Sequence, residues 1–151
     1  MDILDLIKKD HNDVKALFKE YEAMDPSETV GRENLATKIM DELVKHDEAE
    51  EQTLYSVLKE RLRETDDRVK VLEGYEEHAM AGNLIKKLKK VPPSDEDFIA
   101  KFDVLHEAVE HHIKDEEGKI HKLAREVLER DERDALGNKF EEAKRRVSVA
   151  G

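Results

Sequence analysis

The sequence predicts an all-α protein, an up-down-up-down four-helix bundle with a short fifth helix towards the C-terminal end. Three observations predict it: apolar residues recur with the 3.6-residue helical period along four long segments, strand signals are absent, and the connections are short. Short connections between long helices make consecutive helices antiparallel. The predicted organisation is a bundle over residues 1–130 with an internal two-fold repeat, and a helix and tail over 131–151 packed on the same domain.

The first helix is predicted to begin after an Asp2 cap and to end near Asp25, because Pro26 disfavours helical backbone in the residue before it. The second helix is predicted to start at about residue 27 or 31 and to reach about residue 63. The first helix carries its apolar stripe on Ile3, Leu6, Ile7, Val14, Leu17, Phe18 and Tyr21.

The third helix is predicted to start at a polar cap around Thr65 and to run to about residue 90. Residues 91–94, with two prolines, form the clearest linker in the chain. Ser94, with Asp97 three residues later, has the spacing of a capping box and predicts the start of the fourth helix.

The fourth helix is predicted to extend to about residue 130, and a short fifth helix over about 132–147 to pack across the bundle. The apolar positions of the fourth helix are Phe98, Phe102, Leu105, Val109, Ile113, Ile120, Leu123 and Val127.

Composition excludes several classes of function. The net charge of −11 argues against nucleic acid and anionic membranes as partners. The absence of cysteine excludes disulfides, zinc fingers and iron–sulfur clusters. No leader pattern and no apolar stretch long enough to span a membrane is visible, so a cytoplasmic protein is expected. The sequence is compatible with a monomer.

A metal-ligand pattern occurs twice in the chain. In each copy an isolated histidine is followed by a second histidine, and a glutamate comes four residues after that second histidine. The isolated histidine precedes the pair by 35 residues in the first copy and by 34 in the second. Such a set suits a two-metal site between four helices. The six candidate ligands are His11, His46, Glu50, His78, His112 and Glu116.

Helical geometry favours these residues over their neighbours. A histidine and a glutamate four residues apart lie one turn above each other, about 40° apart around the axis. His112 lies seven residues after Leu105, about 20° from it, and therefore faces the apolar interior. His111 lies about 100° further round, so His112 with Glu116 is favoured over His111 with Asp115.

A polar layer of four imidazoles and two carboxylates inside a bundle needs counter-charge, because buried unpaired carboxylates cost several kcal/mol each. Two divalent cations would supply it. If Glu50 and Glu116 both bridge, each metal receives two histidines and keeps open positions for an oxo or hydroxo bridge and a small ligand. Nitrogen-rich ligands with some carboxylate suit iron, and on affinity alone also zinc, copper or nickel. One such pair alone is more typical of a surface ion pair, but the matched repetition favours a metal site.

These residues resemble the hemerythrin-like HHE cation-binding domains, of the bacterial type, over about residues 3–125. The resemblance implies a four-helix bundle with a non-heme di-iron centre and two iron ions per chain. It also implies that the six residues above are the ligands, with Glu50 and Glu116 as the bridges.

The chain departs from the similar oxygen-carrying hemerythrins of invertebrates in two ways. Gly82 occupies the place of a fifth histidine, and the carboxylate of the fourth helix is Glu116, where those proteins have an aspartate one residue further on. Both departures weigh against simple oxygen carriage.

Six further residues could add to the site. His106 is a weak candidate for an extra ligand or proton relay. Tyr55 and His121 occupy equivalent repeat positions. On an ideal helix Tyr55 lies about 180° from His46, so a packing or surface role is expected. Second-layer acceptors for histidine N–H groups, or solvated side chains, are expected for Asp47, Glu51 and Glu117.

The expected function is a di-iron protein that binds or reacts with a small oxidant: hydrogen peroxide, O2 or NO. If the protein is an enzyme, the expected activity is catalase-like decomposition of peroxide. The alternatives are an iron sensor or buffer without turnover and, less favoured by the repeat, a metal-free helical interaction module.

Overall fold

The computed structural model describes residues 1–148, which form five helical rods and contain no strand. The predicted all-α class is confirmed. Within these residues no helix is both long and apolar enough to cross a membrane. The predicted tail residues 149–151 lie outside the described part. The rods are α1 (Ile3–Ala23), α2 (Thr29–Glu50, the π-helical turn Glu51–Tyr55 and Ser56–Arg61), α3 (Thr65–Leu88), α4 (Glu96–Asp115, the π-helical turn Glu116–Ile120 and His121–Val127) and α5 (Arg130–Arg146).

Aspartate caps begin α1 and α4, and a capping box of Glu129 and Glu132 begins α5. The Asp2 carboxylate accepts a hydrogen bond from the Leu4 N–H at 2.9 Å, as predicted for the start of α1. The prediction of a Ser94 cap for α4 is wrong by one residue. Asp95 is the cap, and its carboxylate accepts from the Asp97 N–H at 2.9 Å.

The buried apolar residues fall into two clusters with a polar layer between them. The lower cluster joins the start of α1, the second parts of α2 and α4, and α5. The upper cluster joins the rest of α1, the first part of α2, the end of α3 and the first part of α4. Each cluster can exclude water from one side of the polar layer. The largest fully buried side chains include Tyr55 and Phe140 in the lower cluster and Phe18, Phe98 and Phe102 in the upper one.

Helix α5 packs along α1 and α2 at the lower cluster. Its buried residues Leu136, Phe140 and Ala143 join that cluster. Gly137 permits a close approach, because a Cβ there would lie 2.0 Å from the Met1 carbonyl oxygen. The helix therefore closes the lower end of the bundle.

Candidate metal centre

The structure brings the six predicted residues together in the polar layer. One histidine projects from α1 and one from α3, while α2 and α4 each supply a histidine and a glutamate one turn later. All six are buried, and Glu50 and Glu116 are 0% exposed. Such burial is rare for carboxylates that lack a compensating charge.

The six residues form two groups that share both glutamates. We call His11 and His46 the first half-site, and His78 and His112 the second. Glu50 turns one carboxylate oxygen towards each half-site, at 3.4 Å from His46 Nε2 and 3.1 Å from His78 Nε2. Glu116 does the same, with its oxygens 3.2 Å from His11 Nε2 and 3.2 Å from His112 Nε2.

The inner atoms of this layer lack hydrogen-bond partners. Seven buried polar side-chain atoms in the described residues have none, and six of the seven lie here. A buried polar atom left unsatisfied costs about 1–3 kcal/mol. Five of the six atoms belong to the predicted ligands, so the donor set fits metal ions, which would coordinate those five. The six atoms are His11 Nε2, His46 Nε2, both carboxylate oxygens of Glu50, Glu116 Oε1 and His121 Nε2.

An outer ring of carboxylates fixes the four histidine rings. Each Nδ1–H donates to an acidic side chain on a neighbouring rod, which leaves Nε2 facing the centre. The prediction for Glu51 and Glu117 as outer acceptors agrees with these contacts. The four pairs are His11 with Glu117 at 2.7 Å, His46 with Asp10 at 2.8 Å, His78 with Glu51 at 2.8 Å and His112 with Glu77 at 2.7 Å.

Sequence reasoning missed Asp10 and Glu77 in this ring. Each directly precedes an isolated histidine, in Asp10-His11 and Glu77-His78, so the repeat carried a signal for them. The same Asp10 carboxylate also accepts from the Lys144 ammonium of α5 at 2.8 Å.

The layer holds protons tightly when no metal is bound. Burial by itself lowers the pKa of His46, His78 and His112, but the negative charge of the surrounding carboxylates raises it by more. Burial raises the pKa of Glu50 and Glu116, and the histidines bring both below the ordinary value. Protons and metal ions are thus alternative counter-charges. The pKa rises to about 10 for His46, about 11 for His78 and about 10 for His112.

The prediction of a packing role for Tyr55 agrees with its place in the lower cluster, but its hydroxyl also donates a hydrogen bond to Glu116 Oε2, which was not predicted. The π-helical turn Glu51–Tyr55 explains this contact. A π turn accommodates one extra residue, which rotates the following residues back by about 100°. Tyr55 then lies about 80° from His46 rather than 180°.

Tyr55 is fully buried against the second half-site. Its ring lies parallel to the His78 ring, with centroids 5.2 Å apart. Gly74 makes room for it, because a Cβ there would lie 2.8 Å from the tyrosine hydroxyl. Burial and the charges of Glu50 and Glu116 raise the Tyr55 pKa well above its ordinary value, so the hydroxyl keeps its proton.

His121 lies beside the first half-site as Tyr55 lies beside the second. It follows the π-helical turn Glu116–Ile120, which rotates its side chain towards the centre. Its ring is roughly parallel to that of His11, with centroids 6.5 Å apart. Its Nε2 lies 3.8 Å from Glu116 Oε1 and has no hydrogen bond. Burial lowers the pKa of His121, so the ring is neutral.

Asp47 lies closer to the centre than predicted. Its carboxylate is 3.4 Å from His78 Nε2, the inner nitrogen, and burial raises its pKa. Ile113 occupies the equivalent position of the second repeat, so this carboxylate has no counterpart in the first half-site.

The structure does not bring His106 to the six residues. Its ring stacks on Phe18 with centroids 4.1 Å apart, and its nitrogens lie 2.9 Å from carboxylate oxygens of Glu22 and Glu110. A role as an extra ligand or relay is therefore not supported.

A cavity of about 550 Å³ opens above the polar layer on the side of the upper cluster. Its floor includes all four histidines of the two half-sites. At its outer end lies His111, which forms a partly exposed group with Glu77 and Asp115, and the predicted preference for His112 over His111 agrees with the burial of the two rings.

Comparison with known proteins gives a consistent result. A model of the hemerythrin HHE cation binding domain family matches residues 2–124. A crystal structure of a hemerythrin HHE cation binding domain-containing protein from Mycobacterium kansasii superposes with a TM-score of 0.80, over 96% of this chain and 86% of that chain, at 18% identity. A protein of Nostoc sp. described as a DNA nickase is 27% identical over 147 residues, which is 97% of this chain but only 40% of that relative.

Proposed function

The chain belongs to the hemerythrin HHE cation binding domain family, and from that premise we propose that it is a non-heme di-iron protein that binds or reacts with a small oxidant. The oxidant is hydrogen peroxide, O2 or NO. Two iron ions held in the polar layer would keep coordination positions for an oxo or hydroxo bridge and a small ligand. Their protein ligands in this proposal are His11, His46, Glu50, His78, His112 and Glu116.

The sharing of both glutamates between the half-sites carries the proposal. Each half-site offers two imidazole nitrogens and two carboxylate oxygens, and the glutamates span both. Nitrogen-rich coordination with carboxylate suits iron, and four protein donors leave positions for an exogenous ligand. Iron bound there would supply redox chemistry and an open coordination position.

The residues around the ligands have separate tasks. The outer carboxylates hold each histidine ring so that its Nε2 faces the centre and can coordinate a metal ion. The Tyr55 hydroxyl stays protonated and donates a hydrogen bond to Glu116 Oε2, which fixes the orientation of that carboxylate. The lower apolar cluster excludes bulk water below the layer, and the cavity gives access from above.

The test is metal content and reactivity of protein loaded with iron. We expect about two irons per chain, near-ultraviolet bands of an oxo bridge, and oxygen evolution on addition of hydrogen peroxide if the activity is catalase-like. His46→Ala and His112→Ala should each lose iron, while His106→Ala should keep the full content. Iron-loaded protein that neither consumes peroxide nor changes its spectrum with O2 or NO would refute the oxidant chemistry.

Iron sensing or buffering without turnover is the second candidate, and the contact of α5 with the centre favours it. Lys144 bonds to Asp10, and Asp10 to His46, so the last helix touches the first half-site through one carboxylate. Metal occupancy would then change the stability of α5. This candidate predicts a large rise in melting temperature on iron binding with no peroxide turnover, and equal melting with and without iron would exclude it.

The likeness to a DNA nickase raises a role on nucleic acid, which we do not propose for this chain. Its net charge of −11 opposes binding to phosphate backbones. The chain spans 40% of that relative, so the nicking activity of the whole relative is not transferred.

A further inference from the structure

The cavity above the polar layer has room for far more than a diatomic gas or hydrogen peroxide. Its volume of about 550 Å³ is more than ten times the roughly 30 Å³ that a water molecule takes in the liquid. Cavities of about 300–1,000 Å³ are typical of sites for organic ligands. The size of the cavity is therefore unexplained by the oxidants of the proposed function.

The lining of the cavity is mainly apolar by area, with imidazoles on the floor and charged side chains towards the opening. All four long rods contribute apolar side chains, while the imidazoles of the two half-sites form the floor. A ligand bound here would keep its apolar body among the walls and turn a polar head towards the metal positions. The wall residues include Val14, Leu17, Leu43, Ala81, Val109 and Ile113.

The charges of the lining decide which head group is accepted. Five carboxylates line the cavity, and Lys38 is the one lysine or arginine side chain among the lining residues that the structure describes. Three of these carboxylates are paired with histidines of the floor, which leaves Asp13, Glu42 and Lys38 as the remaining charges of the walls. Because the walls offer no cluster of positive charge to an anionic head group, a neutral head group is favoured there. The five acidic residues are Asp10, Asp13, Glu42, Asp47 and Glu77.

We propose that this cavity binds a neutral organic molecule with an apolar body and a hydroperoxyl head, so that the centre also accepts an organic hydroperoxide as its oxidant. The assignment rests on the proposed di-iron function and adds a substrate class to it. In one reaction the O–O bond would break, and an alcohol and water would form by uptake of two electrons and of two protons from water. Two bound ferrous ions would supply the two electrons and become ferric, and a one-electron donor outside the domain would reduce them before the next reaction.

Binding is tested first, without any redox chemistry. The probe is cumyl alcohol, the unreactive neutral analogue of cumene hydroperoxide, titrated by calorimetry into metal-free and zinc-loaded protein. The anionic comparison is 4-isopropylbenzoate, which keeps the aromatic and isopropyl groups but carries a carboxylate. We expect cumyl alcohol to bind both forms, and the benzoate to bind metal-free protein about ten-fold or more weakly. The benzoate comparison uses metal-free protein, because bound cations would themselves attract a carboxylate.

Two substitutions fill the cavity from opposite walls, Ala81→Phe on α3 and Val109→Phe on α4. Each should weaken cumyl alcohol binding by about ten-fold or more. Ala79→Phe is the matched control, because Ala79 is exposed on α3 and does not line the cavity. Melting curves identify any variant that fails to fold. If one of the two cavity-filling variants does not fold, cumyl alcohol binding to the other is the test.

Reaction is tested next, with iron-loaded reduced protein. The rate with cumene hydroperoxide, relative to that with hydrogen peroxide, should fall in the filled variants and stay unchanged in Ala79→Phe. No binding of cumyl alcohol, binding that both filled variants retain, or reaction with hydrogen peroxide alone would each overturn the assignment. Binding with no reaction towards either peroxide would also overturn it, and the absence of any spectral change with O2 or NO would in addition contradict the proposed function.

Discussion

The two half-sites are built from the same repeated ligands but lie in different surroundings. In the second half-site Tyr55 already donates to Glu116, and Asp47 adds a carboxylate 3.4 Å from His78 Nε2. In the first, His121 presents a buried Nε2 without a partner. The second half-site therefore carries one carboxylate more than the first, and the first has an additional neutral imidazole.

This difference shows how a repeated motif can yield two unequal positions. The repeat supplies equal donor sets, and the residues that break it decide how tightly each position holds a cation. Asp47 and Tyr55 act on one side, while His121 acts on the other. Two ions bound there would differ in charge environment although their protein donors match.

The shared glutamates offer the largest test of this comparison. Glu116→Ala removes one oxygen from each half-site, so we expect loss of nearly all bound iron. His46→Ala should lower the iron occupancy of the first half-site alone and leave about one iron per chain. Iron analysis after desalting measures both, with the exposed Glu110→Ala as the control. Equal losses in Glu116→Ala and His46→Ala would show that the half-sites do not fill separately.

The pH dependence of the metal-free protein gives the next largest effect. The pKa values of His46, His78 and His112 rise to about 10, 11 and 10 on folding. Because folding raises these values, their stabilisation is fully present below the ordinary histidine pKa of about 6.5 and is lost as the pH rises towards 10–11.

Urea unfolding between pH 6 and pH 9.5 measures this loss. Zinc-loaded protein is the control, since its histidines are deprotonated in the folded state and should lack the decline. Asp47→Asn should weaken the decline, because the charge of Asp47 raises the His78 pKa. A metal-free protein whose stability rises over this range would contradict the charge assignment.

Tyr55→Phe tests the hydrogen bond that only the second half-site has. It leaves a buried carboxylate with one donor fewer, so we expect a loss of about 1.5–3 kcal/mol in the free energy of unfolding. His121→Phe loses no hydrogen bond and should cost less. Urea denaturation of both metal-free variants compares them, and an equal cost would show that Tyr55 acts by packing alone.

Gly74→Ala tests the space that Tyr55 needs and has the smallest expected effect. A Cβ at position 74 would lie 2.8 Å from the Tyr55 hydroxyl, and overpacking of this kind costs about 1–3 kcal/mol. Gly82→Ala on the same helix is the control, because its Cβ would meet nothing within 4 Å. Thermal melts should show destabilisation in the first variant and none in the second.

The helices and the six central residues were predictable because both depend on periodic signals. Apolar spacing locates each rod, and the repeat aligns His11 with His78. Tyr55 was misplaced because the prediction assumed about 100° of rotation for every residue, whereas a π turn after Glu50 shifts all that follow.

The outer ring was harder to predict for a different reason. Asp10 and Glu77 act on histidines of other rods, and the chain has 38 acidic residues from which to choose. Spacing along one helix does not show which carboxylate faces a neighbouring rod. Only the packed bundle brings Asp10 to His46 and Glu77 to His112.

The polar layer that separates the two apolar clusters also sets the cooperativity of the molecule. With cations in the layer, the upper and lower ends share one set of bonds and should open together. When only protons neutralise the layer, each end is stabilised mainly by its own apolar cluster. The amide hydrogens of α5 should then exchange at the rate of the lower end rather than at the rate of global unfolding. Metal occupancy would thereby decide whether this small domain behaves as one folding unit or as two.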